Sequence, residues 1–314
     1  MDIQAPFGIV TCCYTGDKFM VGATLASIRR YCPDVPVCLI ADGDVDVSNL
    51  EKEYHLIVLR IDELPSKEMR TMVTGSYLAK LAAMWEGPFE FYVWLDSDAI
   101  VWGDFTDQIR TDLDFQIFWS EISIPEDAGE VPEWLAHYYF ELDKLKKFDP
   151  DFEWRGHPYF SAGVYACRRN VITYEQWVDI AQWQKEEPGI FKFGDMGLLN
   201  YLIHSMSQRG KIRTAMTDLQ HIWAHQGKDE LEQDCKGSRW EFPENISRPR
   251  IAHFCGRKPN IFDLKAYSKP FTIARLAHYR CQHGSFGAWV MVLWEDGRIC
   301  LRKLGNKIQR AISR

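Results

Sequence analysis

The chain has 314 residues, 46% of them hydrophobic and 26% charged, with a net charge of −7. That is the length of one large α/β domain with an appendage, or of two small domains, and the composition is that of a soluble globular protein. The acidic balance argues against general nucleic-acid binding, and no run of about 18 apolar residues offers a membrane span.

In chain order, Phe7 to Cys13 reads as a buried first strand and Tyr14-Thr15-Gly16-Asp17 as a turn. Met20, Ala23, Leu25 and Ile28 recur at helical spacing up to Tyr31, and Pro33 closes that helix. Val35 to Ala41 and His55 to Ile61 are further strands, and Tyr77 to Trp85 is a helix. Phe91 to Leu95 is apolar and aromatic, as in a strand buried on both faces, and it runs into Asp96-Ser97-Asp98 and the apolar Ala99-Ile100-Val101. Strand alternating with helix predicts a mostly parallel sheet, whose ligands bind beyond the carboxyl ends of the strands. Tyr14, Asp42 and Asp96 to Asp98 fall at such ends. Asp112 to Ser120 contains another strand, and Glu121 to Gly156 is an acidic, aromatic insertion with a short helix. Tyr159 to Cys167 is a small-residue turn and a strand, and Tyr174 to Lys185 is a helix. Asp195 stands at the N-cap position of a helix over Gly197 to Ser207, and Ile251 to Phe254 is a short strand ending before Gly256. The nine cysteines show no C-x-x-C spacing, so reduced thiols in a cytoplasm are expected; Met1 to Pro6 lacks the basic and apolar regions of a signal peptide.

Chemistry concentrates in two stretches. Asp96 and Asp98 are two apart, so in extended chain they share a side and repel unless a cation sits between them. A hard divalent metal resolves that conflict. The other stretch is His253-Phe254-Cys255-Gly256-Arg257-Lys258-Pro259. Imidazole joins carboxylates around Mn²⁺, Gly256 lets backbone approach a ligand, and Lys258 is a mobile charge suited to phosphate. Together they describe a site for a metal-bound diphosphate.

Asp-x-Asp after a strand, followed by His-x-x-G-x-K-P, resembles glycosyltransferase family 8, the family of bacterial lipopolysaccharide galactosyltransferases and glycogenin. Tyr77-Leu78-Ala79-Lys80-Leu81 resembles that family's Tyr-x-Arg-Leu helix, Tyr159 to Val164 its Phe-Asn-x-Gly-Val loop, and Asp195-Met196-Gly197-Leu198-Leu199-Asn200 its Asp-Gln-x-x-Leu-Asn helix start. The resemblance covers about Phe7 to Pro259. It implies a GT-A nucleotide-diphospho-sugar transferase fold over residues 1–265, followed by a tail over 266–314, and transfer of a hexose from a UDP-sugar, with retention, to a glycan or lipid-linked acceptor. It further implies that Asp96, Asp98 and His253 hold Mn²⁺ or Mg²⁺, that Gly256 and Lys258 hold the diphosphate, that Lys80, Ser161, Gly163 and Asp195 face the donor sugar, and that Thr11 and Tyr14 lie near uridine. Three positions depart from the pattern: Met196 replaces the Gln, Ser161 the Asn and Lys80 the Arg. A thioether cannot replace an amide carbonyl, so the donor pocket is altered.

Rival readings are a haloacid dehalogenase-like phosphatase, which lacks its further acids here, a nucleotidylyltransferase, which lacks its Gly-rich basic loop, an inverting transferase, and a non-catalytic or donor-hydrolysing carbohydrate-binding protein of the same fold. His221 and His225 have helix-face spacing but lack the Glu of a zinc protease motif. The aromatic stretch Trp134 to Trp154 is a candidate acceptor surface. From Arg298 to Arg314 the chain carries no acid, and Leu301, Leu304, Ile308 and Ile312 share one helical face. Apolar stripe with basic flanks suits peripheral contact with the inner face of an anionic membrane.

Overall fold

The computed structural model describes residues 3–75, 77–118, 122–222, 240–246, 248–256, 258–261 and 268–312; of residues 122, 222 and 302–312 the backbone alone is described. The strands are β1 (Ala5–Cys13), β2 (Val37–Ala41), β3 (Ile57–Arg60), β4 (Phe89–Leu95), β5 (Ala99–Trp102), β6 (Phe115–Phe118), β7 (Ile122–Ser123), β8 (Pro158–Tyr159), β9 (Val164–Arg168), β10 (Thr214–Thr217), β11 (Gln220–Ile222) and β12 (Arg250–His253). The α-helices are α1 (Lys18–Tyr31), α2 (Ser48–Tyr54), α3 (Lys67–Val73), α4 (Lys80–Glu86), α5 (Glu133–Tyr138), α6 (Leu142–Leu145), α7 (Tyr174–Glu186), α8 (Asp195–Gln208) and α9 (Lys269–Ile312). They belong to two compact units: Met1–Asp17, Asp34–Ser97 and Phe105–Gln220 form one, and Lys18–Pro33, Asp98–Asp104 and His221–Arg314 the other.

The first unit is built on a seven-stranded sheet in the order β10-β6-β9-β4-β1-β2-β3. β1 runs parallel to β2 and β4, β2 to β3, and β10 to β6. β9 is antiparallel to β4 and β6, which places one reversed strand inside an otherwise parallel sheet. Phe91 to Leu95 are all buried, as expected of a strand covered on both faces. α7 opens with a capping box: Gln176 N–H donates to Thr173 Oγ1 at 3.2 Å, and Thr173 N–H donates to Gln176 Oε1 at 2.9 Å. The insertion folds as α5 and α6, and its Trp154 is buried among the unit's core side chains.

The second unit has a three-stranded sheet, β11-β12-β5, with β12 antiparallel to β5. Met20 to Ile28 of α1 are buried. Gly22 lets α1 close on α9: a Cβ there would come within 2.5 Å of the His278 ring. α9 is two helical arms meeting at Gly284, whose φ of 66° is open to glycine and costly for other residues. Arg275 of the first arm, wholly buried, donates to Asp296 Oδ1 and Glu295 Oε2 of the second, each at 2.8 Å. Asp296 Oδ2 also accepts the Ile261 N–H at 2.7 Å. A wholly buried guanidinium held by two carboxylates is a buried ion pair, and losing either carboxylate weakens the compensation of its charge. The opposite face of the second arm is bare: Phe286 is 84% exposed, and Val290, Leu293, Trp294 and Leu301 are exposed with it.

The helical reading of the basic tail agrees with the backbone, which stays helical through Ile312; the side chains of Leu304, Ile308 and Ile312 lie outside the described residues. His221 sits on β11 and not on a helix, and His225 is likewise outside the described residues.

Candidate functional site

In the first unit the site grows from the end of β4. The strand stops at Leu95, and Ser97 and Asp98 form a turn, so the two acids are not held in extended chain as the spacing suggested. Asp96 N–H donates to the Gly163 carbonyl at 2.8 Å, which ties the strand end to the small-residue turn before β9. The Asp96 carboxylate accepts from Trp94 Nε1 at 2.8 Å.

Lys80, the first residue of α4, is buried beneath that turn. Its Nζ donates to the Ala162 carbonyl at 2.8 Å and lies 2.8 Å from Asp195 Oδ2 and 3.4 Å from Asp96 Oδ1. Burial alone pulls an ammonium down, but Asp195 and then Asp96 more than reverse this, and Lys80 stays above its ordinary value. Asp195 is pushed up by burial in spite of Lys80. Asp195 is also the first residue of α8 and does not cap it: Gly194 holds the N-cap position with φ 61°. A Cβ on Gly194 would lie 2.0 Å from the Tyr77 ring. A Cβ on Gly197 would lie 1.9 Å from the Tyr139 carbonyl oxygen, so the first turn of α8 seats only because that methylene is missing.

Asn200 is a site residue to which the sequence reading gave no role. Wholly buried on α8, it accepts from the Phe160 N–H at 3.0 Å and donates to the Phe160 carbonyl at 2.9 Å. It thereby fixes the loop that carries Ser161 and Gly163. A polar amide in the middle of a helix interior was the available signal, because buried amides are hydrogen-bonded. Ser161 is half-buried in that loop, and Met196 is half-buried with its backbone carbonyl taken by Asn200 Nδ2 at 2.8 Å.

In the second unit Asp98 leads into β5 and His253 ends β12, opposite Ala99. His253 Nε2 is 3.3 Å from Asp98 Oδ1, Phe254 N–H donates to the Asp98 carbonyl at 3.0 Å, and Lys258 Nζ donates to Asp98 Oδ2. Burial would raise the Asp98 carboxyl, but His253 and Lys258 outweigh it and bring it down to about 2. Gly256 has φ 77° with open space at its Cβ position, so it serves the backbone turn between His253 and Lys258.

Within the second unit Asp98 and His253 each offer one ligand atom, and these atoms lie within 4.8 Å of one another. A carboxylate and an imidazole at that spacing are candidate ligands of a divalent metal, and their donor set suits Mn²⁺ or Mg²⁺. The two residues expected near uridine separate. Tyr14 is exposed just beyond β1, with its N–H donating to Asp17 Oδ1 at 2.9 Å. Thr11 lies within β1, inside the strand expected over Phe7 to Cys13; it is paired with Leu39, wholly buried, and among the described residues its hydroxyl has no hydrogen-bond partner. β1 is longer than its apolar core because Cys12 and Cys13 continue the ladder with β2.

No protein-family model matches the sequence, and the comparison with curated proteins finds no match. Among solved structures the chain is similar to the galactosyltransferase LgtC in complex with donor and acceptor sugar analogues, at 14% identity and a TM-score of 0.50, over 87% of this chain and 95% of that one. An active-site mutant of LgtC matches at 13% identity and a TM-score of 0.51, again over 87% and 95%. The apo bifunctional glycosyltransferase WbbM matches at 14% identity and a TM-score of 0.50, over 91% of this chain and 52% of that one, so the chain spans about half of WbbM. At these identities the likeness is one of architecture: the chain has the mixed α/β, mostly parallel-sheet fold of the GT-A glycosyltransferases.

Proposed function

We propose that the chain is a metal-dependent glycosyltransferase that moves a hexose from a UDP-sugar to a glycan or lipid-linked acceptor. The observation that carries this reading is the Asp98 and His253 pair in a chain of glycosyltransferase fold, and the reading adds Asp96, two residues before Asp98, as the third member of a ligand triad. A divalent cation held by the triad would supply positive charge to a departing diphosphate. Lys258 would add an ammonium to the same phosphates, and Gly256 would keep the backbone between them free of side chain. Lys80 holds the Asp195 carboxylate in a fixed, desolvated place, where it would meet the donor sugar beside Ser161 and Gly163. Tyr14, exposed just beyond β1, would stack on the base.

Retention of configuration belongs to the same proposal. Asp195 is committed to Lys80, and Met196 brings no oxygen, so neither is suited to be the general base of an inverting attack. The test uses the full chain with Mn²⁺ and a panel of nucleotide sugars. UDP-sugars are expected to raise the melting temperature only when Mn²⁺ is present, and the NMR spectrum of fresh product is expected to keep the donor's anomeric configuration. No stabilisation by any member of the panel would refute the transferase reading, and an inverted product would refute retention.

The acceptor side of the proposal includes a lipid surface. No helix among the described residues is long and apolar enough to cross a membrane. The bare face of the second arm of α9 nevertheless repeats Phe286, Val290, Leu293, Trp294 and Leu301 at intervals that fit one side of a helix. Arg298 lies 4.6 Å from the Trp294 ring, and the sequence beyond it is basic without an acid. An in-plane helix on anionic lipid has this make-up, each basic residue contributing about 1 kcal/mol near the surface. Vesicle co-sedimentation at low salt should therefore retain the full chain on phosphatidylglycerol vesicles and retain less of a version ending at Gly297, which keeps Asp296 for Arg275 and the stripe as far as Trp294 but removes Leu301 and the basic run. Equal binding by both would remove the tail from the account.

A further inference from the structure

Asp98 has two carboxylate oxygens, and nitrogen donors face both. Oδ1 faces His253 Nε2 at 3.3 Å, and Oδ2 accepts from Lys258 Nζ. The same ammonium donates to the Phe254 carbonyl at 2.9 Å, so the backbone turn at Gly256 folds Lys258 back over the end of its own strand. The Asp98 side chain is 9% exposed and that of Lys258 30% exposed, so the carboxylate is fixed in the interior while the ammonium has a way out to water. A divalent cation taken up by Asp98 and His253 would meet a positive charge already bound to its ligand, and the two cations would repel at close range in a poorly hydrated place.

We propose that Lys258 is an internal counter-ion that occupies Asp98 until a divalent cation displaces it, and that the displaced ammonium then becomes the anchor for a nucleoside diphosphate. This rests on the metal-site reading given above and adds an order of events to it. Cation binding frees the lysine, the freed lysine favours the polyphosphate, and by linkage the nucleotide tightens the cation by the same factor. A lysine suits this exchange, because its compact charge moves on a flexible stem without needing a fixed planar partner.

The test is site-resolved acylation of lysines in the full chain by a succinimidyl ester, read by mass spectrometry, with Lys147 and Lys211, both exposed and remote in sequence from Asp98 and His253, as internal references. Lys258 is expected to react slowly without metal, several-fold faster with Mg²⁺ alone, and slowly again with Mg²⁺ and UDP together. In Asp98→Asn it should react fast with or without Mg²⁺. Calorimetry with Mn²⁺ alone should show Lys258→Met binding about tenfold tighter than wild type, with its coupling to UDP reduced. If calorimetry shows Mg²⁺ bound while Lys258 acylation stays unchanged, displacement is overturned and the metal site stands. If neither Mg²⁺ nor Mn²⁺ binds the wild-type chain, the metal site is overturned and displacement with it.

Discussion

Asp98→Asn is expected to lose the Mn²⁺-dependent part of UDP binding, by about a hundredfold or more, while the chain stays folded. The substitution keeps the shape of the side chain and removes its charge. Asp98 is the acid with the most committed surroundings: it is buried, His253 faces one oxygen, and Lys258 bonds the other. An amide there is a poor ligand for a hard cation. The partly exposed Lys258 can turn to water once released, so no charge is left buried by the change. Calorimetry of UDP with and without Mn²⁺, beside a thermal melt, reads both halves of the expectation. An unchanged Mn²⁺-dependent affinity in the mutant would exclude Asp98 as a ligand.

Lys80→Met should act through stability before it acts on chemistry. Lys80 is the cation between Asp96 and Asp195, and it is buried with Asp195. Removing one member of a buried ion pair costs about 3–5 kcal/mol, because the remaining charge keeps its desolvation penalty and loses its partner. Asp195→Asn placed on Lys80→Met should recover much of that loss, since the double variant strands one less charge. Urea unfolding of the two single variants and the double measures this directly. Additive losses in the double variant would mean that Lys80 and Asp195 do not depend on each other.

How much of this was legible in the sequence depends on which forces set each feature. Phe91 to Leu95 announced a doubly covered strand because burial of both faces leaves no polar position, and Asp96 and Asp98 stood out against that background. The reversal of β9 left no such mark: Val164 to Cys167 are buried and apolar, which a parallel strand would be equally. The break between β4 and β5 was hidden for the same reason, since apolar residues lie on both sides of the turn. Asp195 was misplaced by one position because N-caps favour Asp, whereas here Gly194 takes the cap with a positive φ and frees the carboxylate for Lys80. Pairings between residues far apart, such as Lys80 with Asp195 and Asn200 with Phe160, depend on tertiary contact that local spacing does not encode.

The order in which the ribosome delivers the second unit follows from its three separate stretches. α1 is complete at Tyr31, but α9, which covers it at Gly22, does not begin until Lys269. At about 5–20 residues per second, the buried face of α1 waits roughly tens of seconds for its partner. During that interval α1 has β5 as its cover, with Met20 packed beside Ile100 and Trp102 and Ser27 Oγ accepting from the Val101 N–H at 3.0 Å, while the side that meets α9 is still open. The side of α1 that meets α9 is therefore the part of this unit completed late in synthesis, and slowing synthesis between residues 220 and 269 should lengthen the time for which it stays open.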